Sequence, residues 1–184
     1  MRISTPEFIS LMAMLVATVA ISIDAMLPAL PDIALKLTAN NPNQVQLILS
    51  TFIGGMAIGT LVVGPLSDSF GRKNIIYAGA AIYITFSALC MFATNLETMI
   101  IARVFQGIGA AAPRIVSQAL VRDLYSGREM ARITSFIMII FSIVPAVAPL
   151  MGAGLISLFD WRAIFTVFIL FALVSTIWTG IRIQ

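Results

Sequence analysis

Long apolar runs alternate with short polar stretches along this chain, and the runs indicate its architecture. They cover residues 8–30, 44–66, 74–94, 97–120, 131–157 and 162–181. Because an α-helix rises about 1.5 Å per residue, about twenty residues cross a hydrocarbon layer about 30 Å thick. The runs also lack the period-two alternation that the strands of a membrane barrel show. The pattern therefore predicts an all-α membrane protein with six transmembrane helices, which are spans 1 to 6 in chain order.

The composition makes the lipid bilayer the main partner of the side chains. Hydrophobic residues make up 60% of the 184 residues and charged residues only 10%, whereas a soluble domain has about 25% charged residues. The net charge is +3, but the basic residues form no stripe, so nucleic acid is not a predicted partner. Since no linker rich in Gly or Ser divides the chain, residues 1–184 are predicted to form a single six-helix domain.

The basic residues instead indicate the orientation of the chain, because cytoplasmic loops carry an excess of Lys and Arg. Two arginines lie inside span 4. Seven basic residues fall in the tails and the even-numbered loops: Arg2, Arg72, Lys73, Arg122, Arg128, Arg132 and Arg182. Two fall in the odd-numbered loops, namely Lys36 and Arg162. Seven against two predicts that both termini lie in the cytoplasm, with the bacterial inner membrane as the location.

The residue types that carry most enzyme chemistry are scarce in this chain. It has one cysteine, Cys90, and no histidine, so neither an intrachain disulfide nor a metal site is predicted. The phosphate-binding pattern G-x-x-x-x-G-K-[ST] is also missing. The sequence therefore predicts no enzyme and no bound cofactor.

The loop between spans 2 and 3 reads GPLSDSFGRKN, at residues 64–74. Gly64 and Pro65 are suited to a close approach and an end of span 2, and Asp68 is suited to cap span 3. Gly71 tolerates the left-handed backbone angles of a tight turn. A capped turn with ordinary cytoplasmic charges would account for the same residues.

The pattern G-x-x-x-D-x-x-G-R-K in this loop resembles the signature loop of the major facilitator superfamily. The matching residues are Gly64, Asp68, Gly71, Arg72 and Lys73. The resemblance implies one half of a twelve-helix transporter, built as two three-helix repeats. It also implies a charge relay between this loop and neighbouring cytoplasmic helix ends, which latches the outward-open state. The candidate partners in this chain are Arg122 and Asp123.

Span 4 contains two arginines at membrane depth, in the segment RVFQGIGAAAPR. A charged residue there costs about 2.5–3.5 kcal/mol on insertion scales, so it usually faces the bundle interior or a wet cavity. Arg103 and Arg114 are eleven residues apart, which leaves them about 20° apart on one face of the helix. Arg103 followed by Gly107 resembles a core of the family's fourth-helix motif that is associated with proton transfer, although not every spacing of that motif matches.

Asp24 is the one carboxylate well inside an apolar run. Asp24 and Arg103 each lie six residues from the outer end of their span, so both lie about 9 Å deep. If spans 1 and 4 are neighbours, as the family's fold implies, the two side chains can pair. One interpretation is an ion pair that only fixes helix packing. The other is a pair that toggles, which would make Asp24 the carrier of the coupling proton.

Span 5 carries PAVAPLMGAG, at residues 145–154. Its prolines are predicted to bend the helix and its glycines to allow close packing. The residues concerned are Pro145, Pro149, Gly152 and Gly154. The segment resembles the family's antiporter motif G-P-x-x-G-G, but Ala148 and Ala153 stand where that motif has glycine.

Three further segments resemble the bicyclomycin-resistance type branch of drug/proton antiporters within this family. They are IDAMLPALPDIA in span 1, VRDLYSGREMAR after span 4 and DWRAIF before span 6. The prolines of the first segment, Pro28 and Pro31, also predict the outer end of span 1. The resemblance implies proton-driven export of small amphipathic or cationic compounds.

Two alternatives stay open at this point. One is an uptake carrier for a small metabolite. The other follows from length, because members of this family have twelve helices in two halves. Either a second chain supplies spans 7 to 12, or two copies pair, or the chain inserts in the membrane without transporting.

Overall fold

The computed structural model describes residues 4–37 and 42–183, and the regular structure within these ranges is helical. The α-helices are α1 (Thr5–Asp24), α2 (Leu30–Leu37), α3 (Leu47–Phe70), α4 (Arg72–Met91), α5 (Leu96–Leu124), α6 (Gly127–Leu158) and α7 (Arg162–Arg182). Short 3-10 turns at Leu27–Ala29 and Pro42–Gln46 precede α2 and α3. The described ranges contain six helical segments long and apolar enough to cross a membrane, since α1 and α2 form one segment. The predicted fold class is therefore confirmed.

Span 1 is longer than predicted and is broken in the middle. The amide of Met26 donates to the carbonyl of Ile23 at 3.2 Å. This bond reaches back three residues instead of four, so the turn is tighter than that of a regular α-helix. Pro28 and Pro31 do not end the helical path, because each lies in the first turn of a new element, where no amide donor is needed. The prediction that these prolines stop span 1 is wrong, and Asp24 lies at the break.

The end of span 2 also differs from the prediction. α3 continues past Gly64 and Pro65 to Phe70, and it ends at Gly71, whose φ is 87°. A Cβ added at Gly64 would meet nothing within 4 Å, so Gly64 makes no close approach to another helix. Gly71 alone takes the left-handed angles that were predicted for the turn.

The helices pack as two related sets of three. α1 packs on α6 and α7, and α5 packs on α3 and α4. Exchanging spans 1, 2 and 3 for spans 4, 5 and 6 turns the first set of contacts into the second, and it maps the contact between α4 and α7 onto itself. α1 and α5 also touch and are the most buried helices. This arrangement confirms the predicted two three-helix repeats and places α1 and α5 at the centre.

α5 lies unusually close to both of its neighbours. A Cβ added at Gly55 of α3 would collide with the carbonyl of Val104, and one at Gly109 of α5 would lie 2.6 Å from the amide nitrogen of Tyr83 in α4. Without a driving force from water between helices in lipid, such close backbone contact is a main source of helix association. The charged side chains of α5 are therefore held in a tightly packed frame.

Candidate functional site

Arg103 is fully buried between α1, α3 and α5. Its Nε donates to the carbonyl of Ile48 at 3.1 Å, its Nη1 to Oε1 of Gln106 at 2.7 Å and its Nη2 to the carbonyl of Ser22 at 3.1 Å. The guanidinium also lies over the ring of Phe52, 4.3 Å from the centroid. Three separate acceptors and an aromatic face thus replace the water that this cation loses on burial.

The hydrogen-bonded network continues from Arg103 to α4 and returns to α1. Gln106 Nε2 donates to Ser87 Oγ at 2.6 Å, and Ser87 Oγ donates to the carbonyl of Tyr83 at 2.7 Å. The hydroxyl of Tyr83 shares a 2.5 Å hydrogen bond with Ser22 Oγ. All of these side chains are buried. The network therefore ties the C-terminal half of α1 to α4 and α5.

Arg103 does not form the predicted pair with Asp24. Its acceptor on α1 is the carbonyl of Ser22, two residues before Asp24. Because the Met26 amide bonds to the Ile23 carbonyl, it does not bond to the Ser22 carbonyl as it would in a regular helix. The Ser22 carbonyl is therefore one of the free carbonyls at the end of α1, where a cation is favoured. The prediction of an Asp24–Arg103 pair is wrong for this structure. Arg103 instead caps α1 at the break.

Asp24 faces a different space, a cavity of about 350 Å³ between α1, α5 and α6. Its lining includes Arg114, Gln118 and Pro145. Within the part of the chain that the structure describes, Asp24 makes no hydrogen bond or ion pair. Arg114 donates to Met56 Sδ at 3.7 Å, which is a weak acceptor. The cavity thus holds one carboxylate and one guanidinium that do not bond to each other.

A second cavity, of about 250 Å³, extends this space toward the end of α5. It shares Val16, Gln118 and Met138 with the first cavity and adds Arg122 to the lining. The two cavities therefore form one groove along α1, α5 and α6. Arg114 lines this groove, whereas Arg103 lies outside it.

Gly107 is also outside the groove. A Cβ at this position would collide with the carbonyl of Phe52 and would lie 2.8 Å from the amide nitrogen of Met56. Gly107 therefore permits the close contact between α5 and α3. It lines neither cavity of the groove, and its contribution in this structure is to helix packing.

The glycines of span 5 differ in their surroundings. A Cβ at Gly152 would collide with the carbonyl of Ala25 and would lie 3.0 Å from Cγ of Pro28, both in the broken part of span 1. A Cβ at Gly154 would meet nothing within 4 Å. Close packing is thus confirmed for Gly152 and wrong for Gly154. Pro145 and Pro149 lie inside α6, which remains one helix despite them.

Replacing Gly152 with alanine is expected to lower the free energy of unfolding by about 1–3 kcal/mol, because α6 must move away from the break beside Asp24. The matched change is Gly154→Ala, which should be neutral or stabilising by about 0.5–1 kcal/mol, since helical alanine is favoured over glycine. Reversible unfolding in mixed detergent micelles measures both. Equal effects of the two changes would contradict this assignment of Gly152.

The loop after α3 carries a cluster of charges at one end of the bundle. Arg72 Nη1 lies 2.6 Å from Oδ1 of Asp68, and Arg72 Nε lies 3.0 Å from Oδ2 of Asp123 at the end of α5. Asp68 was predicted to cap the next helix, but Gly71 is the capping residue and it makes no side-chain cap bond. Since α3 runs on to Phe70, Asp68 lies in the last turn of α3 and pairs instead with Arg72, the first residue of α4.

Of the two predicted partners of this loop, one contacts it and the other does not. Asp123 joins Arg72, but Arg122 lines the groove and makes no ion pair among the described residues. Neighbouring residues point about 100° apart on a helix, so only one of them can face α4. Lys73 donates to the carbonyl of Gly180 in α7 at 2.8 Å. The loop is thus attached to the ends of both α5 and α7.

A further cluster joins the opposite ends of the helices around Asp160, which precedes α7. Lys36 Nζ and Arg162 Nη1 approach its carboxylate at 3.0 Å and 3.1 Å, and Arg162 Nε donates to the carbonyl of Met91 at 2.9 Å. Partial burial opposes ionisation of Asp160, but hydrogen bonds from Lys36 and from the Trp161 amide outweigh it and hold the pKa of this carboxyl below its ordinary value. This cluster fastens α2, α4 and α7 together.

Several polar residues of the site were not predicted from the sequence. They are Ser22, Tyr83, Ser87, Gln106 and Gln118. Each is a polar side chain inside an apolar span, which is a general signal for a buried contact or a wet cavity. The signal does not say which of these two surroundings a side chain has, because that depends on how each helix is rotated.

Comparisons with known proteins agree with this architecture. The family model of the Major Facilitator Superfamily matches residues 11–182. The "Bicyclomycin resistance protein homolog" of Haemophilus influenzae is 36% identical over 172 residues, which are 94% of this chain and 43% of that protein. "Multidrug resistance protein MdtL" of Citrobacter koseri is 37% identical over 143 residues, 78% of this chain and 36% of that protein. The "Uncharacterized MFS-type transporter YdgK" of Bacillus subtilis is 34% identical over 176 residues, 95% of this chain and 44% of that protein. The chain thus spans less than half the length of each of these relatives.

Proposed function

Since this chain belongs to the Major Facilitator Superfamily, a family of membrane transporters, we propose that it takes part in proton-coupled export of small amphipathic drugs. Relatives named for bicyclomycin and multidrug resistance support the choice of drugs as substrates. The proposed location is the bacterial inner membrane, with both termini in the cytoplasm. The excess of basic residues in the tails and even-numbered loops supports that orientation.

The observation that carries the proposal is the state of Asp24. It is a carboxylate at the break of a membrane span, it faces a cavity, and no described residue bonds to it. A carboxylate that is engaged in an ion pair resists protonation, whereas an unengaged one can take up a proton or a cationic group. Asp24 is therefore suited to exchange a proton for a substrate, which is the central step of antiport.

The fixed frame around Asp24 supports the same proposal. Arg103 caps α1 at the break from one side, and Gly152 of α6 contacts Ala25 from the other. A change in the packing of α6 would therefore reach Asp24 directly. We propose that the Asp68–Arg72–Asp123 cluster acts as the cytoplasmic latch of the transport cycle, because it joins the ends of helices that must separate when the pathway opens inward.

A complete pathway needs a second set of six helices, and we propose that this chain works with one, in the form of a second half-transporter or a second copy. α3 and α6 offer large apolar surfaces for lipid or for such a half. The more exposed residues there include Ile58, Leu61, Ile139, Ile143 and Leu150. In the family's architecture the transport pathway runs between two halves.

Transport in proteoliposomes with an imposed pH gradient tests the proposal. Addition of a transported drug, with bicyclomycin as the first compound, should cause a release of protons as the drug crosses the membrane in the opposite direction. The release should disappear with a protonophore. If drug movement ignores the gradient, the proposed coupling is wrong. If a metabolite is instead accumulated down the proton gradient, the protein is an uptake carrier.

The assembly is tested separately by native mass spectrometry from lipid nanodiscs. A dimer, or a complex with a second six-helix chain, is expected in every preparation that transports. A strictly monomeric chain that binds to membranes but moves no substrate would show that the chain has no transport function of its own.

A further inference from the structure

The groove contains both signs of charge, and its substrate preference follows from this. We infer that the cavity between α1, α5 and α6 binds zwitterionic amphipathic molecules, with the cationic group at Asp24 and the anionic group at Arg114. The inference rests on the proposed transport function and names its substrate class.

Both charged groups are available to a ligand. Asp24 has no hydrogen bond or ion pair to any described residue, and Arg114 donates only to the thioether of Met56, at 3.7 Å. Both groups line one cavity of about 350 Å³, yet they form no ion pair with each other among the described residues. Each is therefore available to a group of opposite charge on a ligand.

The presence of both charges disfavours ligands with only one. A simple cation at Asp24 would experience repulsion from Arg114 in the same half-buried cavity, and a simple anion at Arg114 would experience repulsion from Asp24. A zwitterion places each of its groups beside the opposite charge and leaves neither protein charge without a partner. The cavity therefore selects by rejection as well as by attraction.

The rest of the lining suits an apolar body of small size. Val19, Ile23, Met138 and Phe141 surround the two charges. The cavity volume of about 350 Å³ lies at the lower end of the range of about 300–1,000 Å³ for small-molecule sites. The adjoining space of about 250 Å³, with Gln118 and Arg122, accommodates a longer tail.

Equilibrium binding of three matched fluorescent probes to the protein in nanodiscs tests the inference. Dansyl-lysine is a zwitterion, its methyl ester is a cation, and its Nα-acetyl derivative is an anion, and all three share one apolar body. We expect the zwitterion to bind at least about tenfold more tightly than either of the others, because each of the others leaves one repulsive contact.

Two substitutions should change the preference in opposite ways. Arg114→Gln should remove the advantage of the zwitterion over the methyl ester, and Asp24→Asn should remove its advantage over the acetyl derivative. Arg114→Lys keeps the charge and should keep the preference. Arg128→Gln is the control, because Arg128 is exposed at the start of α6 and lines neither cavity of the groove.

Three results would overturn the inference: equal affinity for the three probes, no binding of any of them, or an equal loss of affinity for all three in each variant. The binding assay needs no proton gradient, so it separates the inference from the proposed function. A selective binder that moves no protons would refute only proton coupling. A proton-coupled transporter without selectivity between the probes would refute only the zwitterion site.

Discussion

Replacing Asp24 with asparagine is expected to reduce proton-driven transport by about a hundredfold or more, the typical contribution of a positioned acid–base group, while the amount of folded protein stays unchanged. Asparagine has nearly the same size but cannot carry a proton. Because no described residue bonds to the Asp24 carboxylate, the substitution removes no contact that holds the fold. Initial rates of drug-induced proton release in proteoliposomes measure the effect.

The matched control is Asp32→Asn, since Asp32 lies in the first turn of α2 and lines none of the described cavities. It should transport at the wild-type rate. At substrate concentrations high enough to offset weaker binding of a cationic group, Asp24→Asn should still exchange labelled substrate across the membrane without net proton movement. If Asp24→Asn transports drug against a gradient as fast as the wild type does, Asp24 is not the proton carrier.

The helices could be predicted from the sequence because the bilayer imposes one strong requirement on the backbone. An apolar run of sufficient length must satisfy its polar backbone groups internally, so the runs are helices wherever they occur. This requirement does not determine where each helix begins and ends. Pro28, Pro31 and Pro65 looked like helix ends, but Pro28 and Pro31 stand at the starts of new turns and α3 accommodates Pro65.

The charged residues of the candidate site could be recognised from the sequence, but their pairing could not. Burial of charge is unfavourable in lipid, so Asp24, Arg103 and Arg114 could be recognised as residues of the bundle interior. Arg103 nevertheless turns to the Ser22 carbonyl, because the break in span 1 offers it free backbone acceptors. A single sequence contains no signal for that break beyond its prolines, and these follow it.

In the predicted cytoplasmic loop, too, the charged residues could be recognised from the sequence, whereas their partners depend on the tertiary structure. Asp68 and Arg72 are four residues apart, and because α3 extends to Phe70 their ion pair joins the last turn of α3 to the first residue of α4 across Gly71. The choice of Asp123 over Arg122 depends on the rotation of α5, which side-chain packing against α3 and α4 determines. Such rotation is a tertiary property that the periodicity of a single sequence constrains only weakly.

The largest loss of stability is expected from Arg103→Met. The change leaves three buried acceptors, the Ile48 and Ser22 carbonyls and Gln106 Oε1, without this donor. Each unsatisfied group costs about 1–3 kcal/mol, and relief of the buried charge offsets only part of the sum. We expect the free energy of unfolding to fall by about 2–5 kcal/mol.

Arg103→Lys separates geometry from charge. Lysine keeps the cation, but its single ammonium cannot reach three acceptors that a planar guanidinium contacts on different sides, so its stability should lie between those of the wild type and Arg103→Met. Cys90, the one cysteine of the chain, is fully buried, so its rate of reaction with a thiol reagent reports unfolding directly. If Arg103→Met protects Cys90 as well as the wild type does, Arg103 does not hold the C-terminal half of α1, and the cap at the break is incidental to the fold.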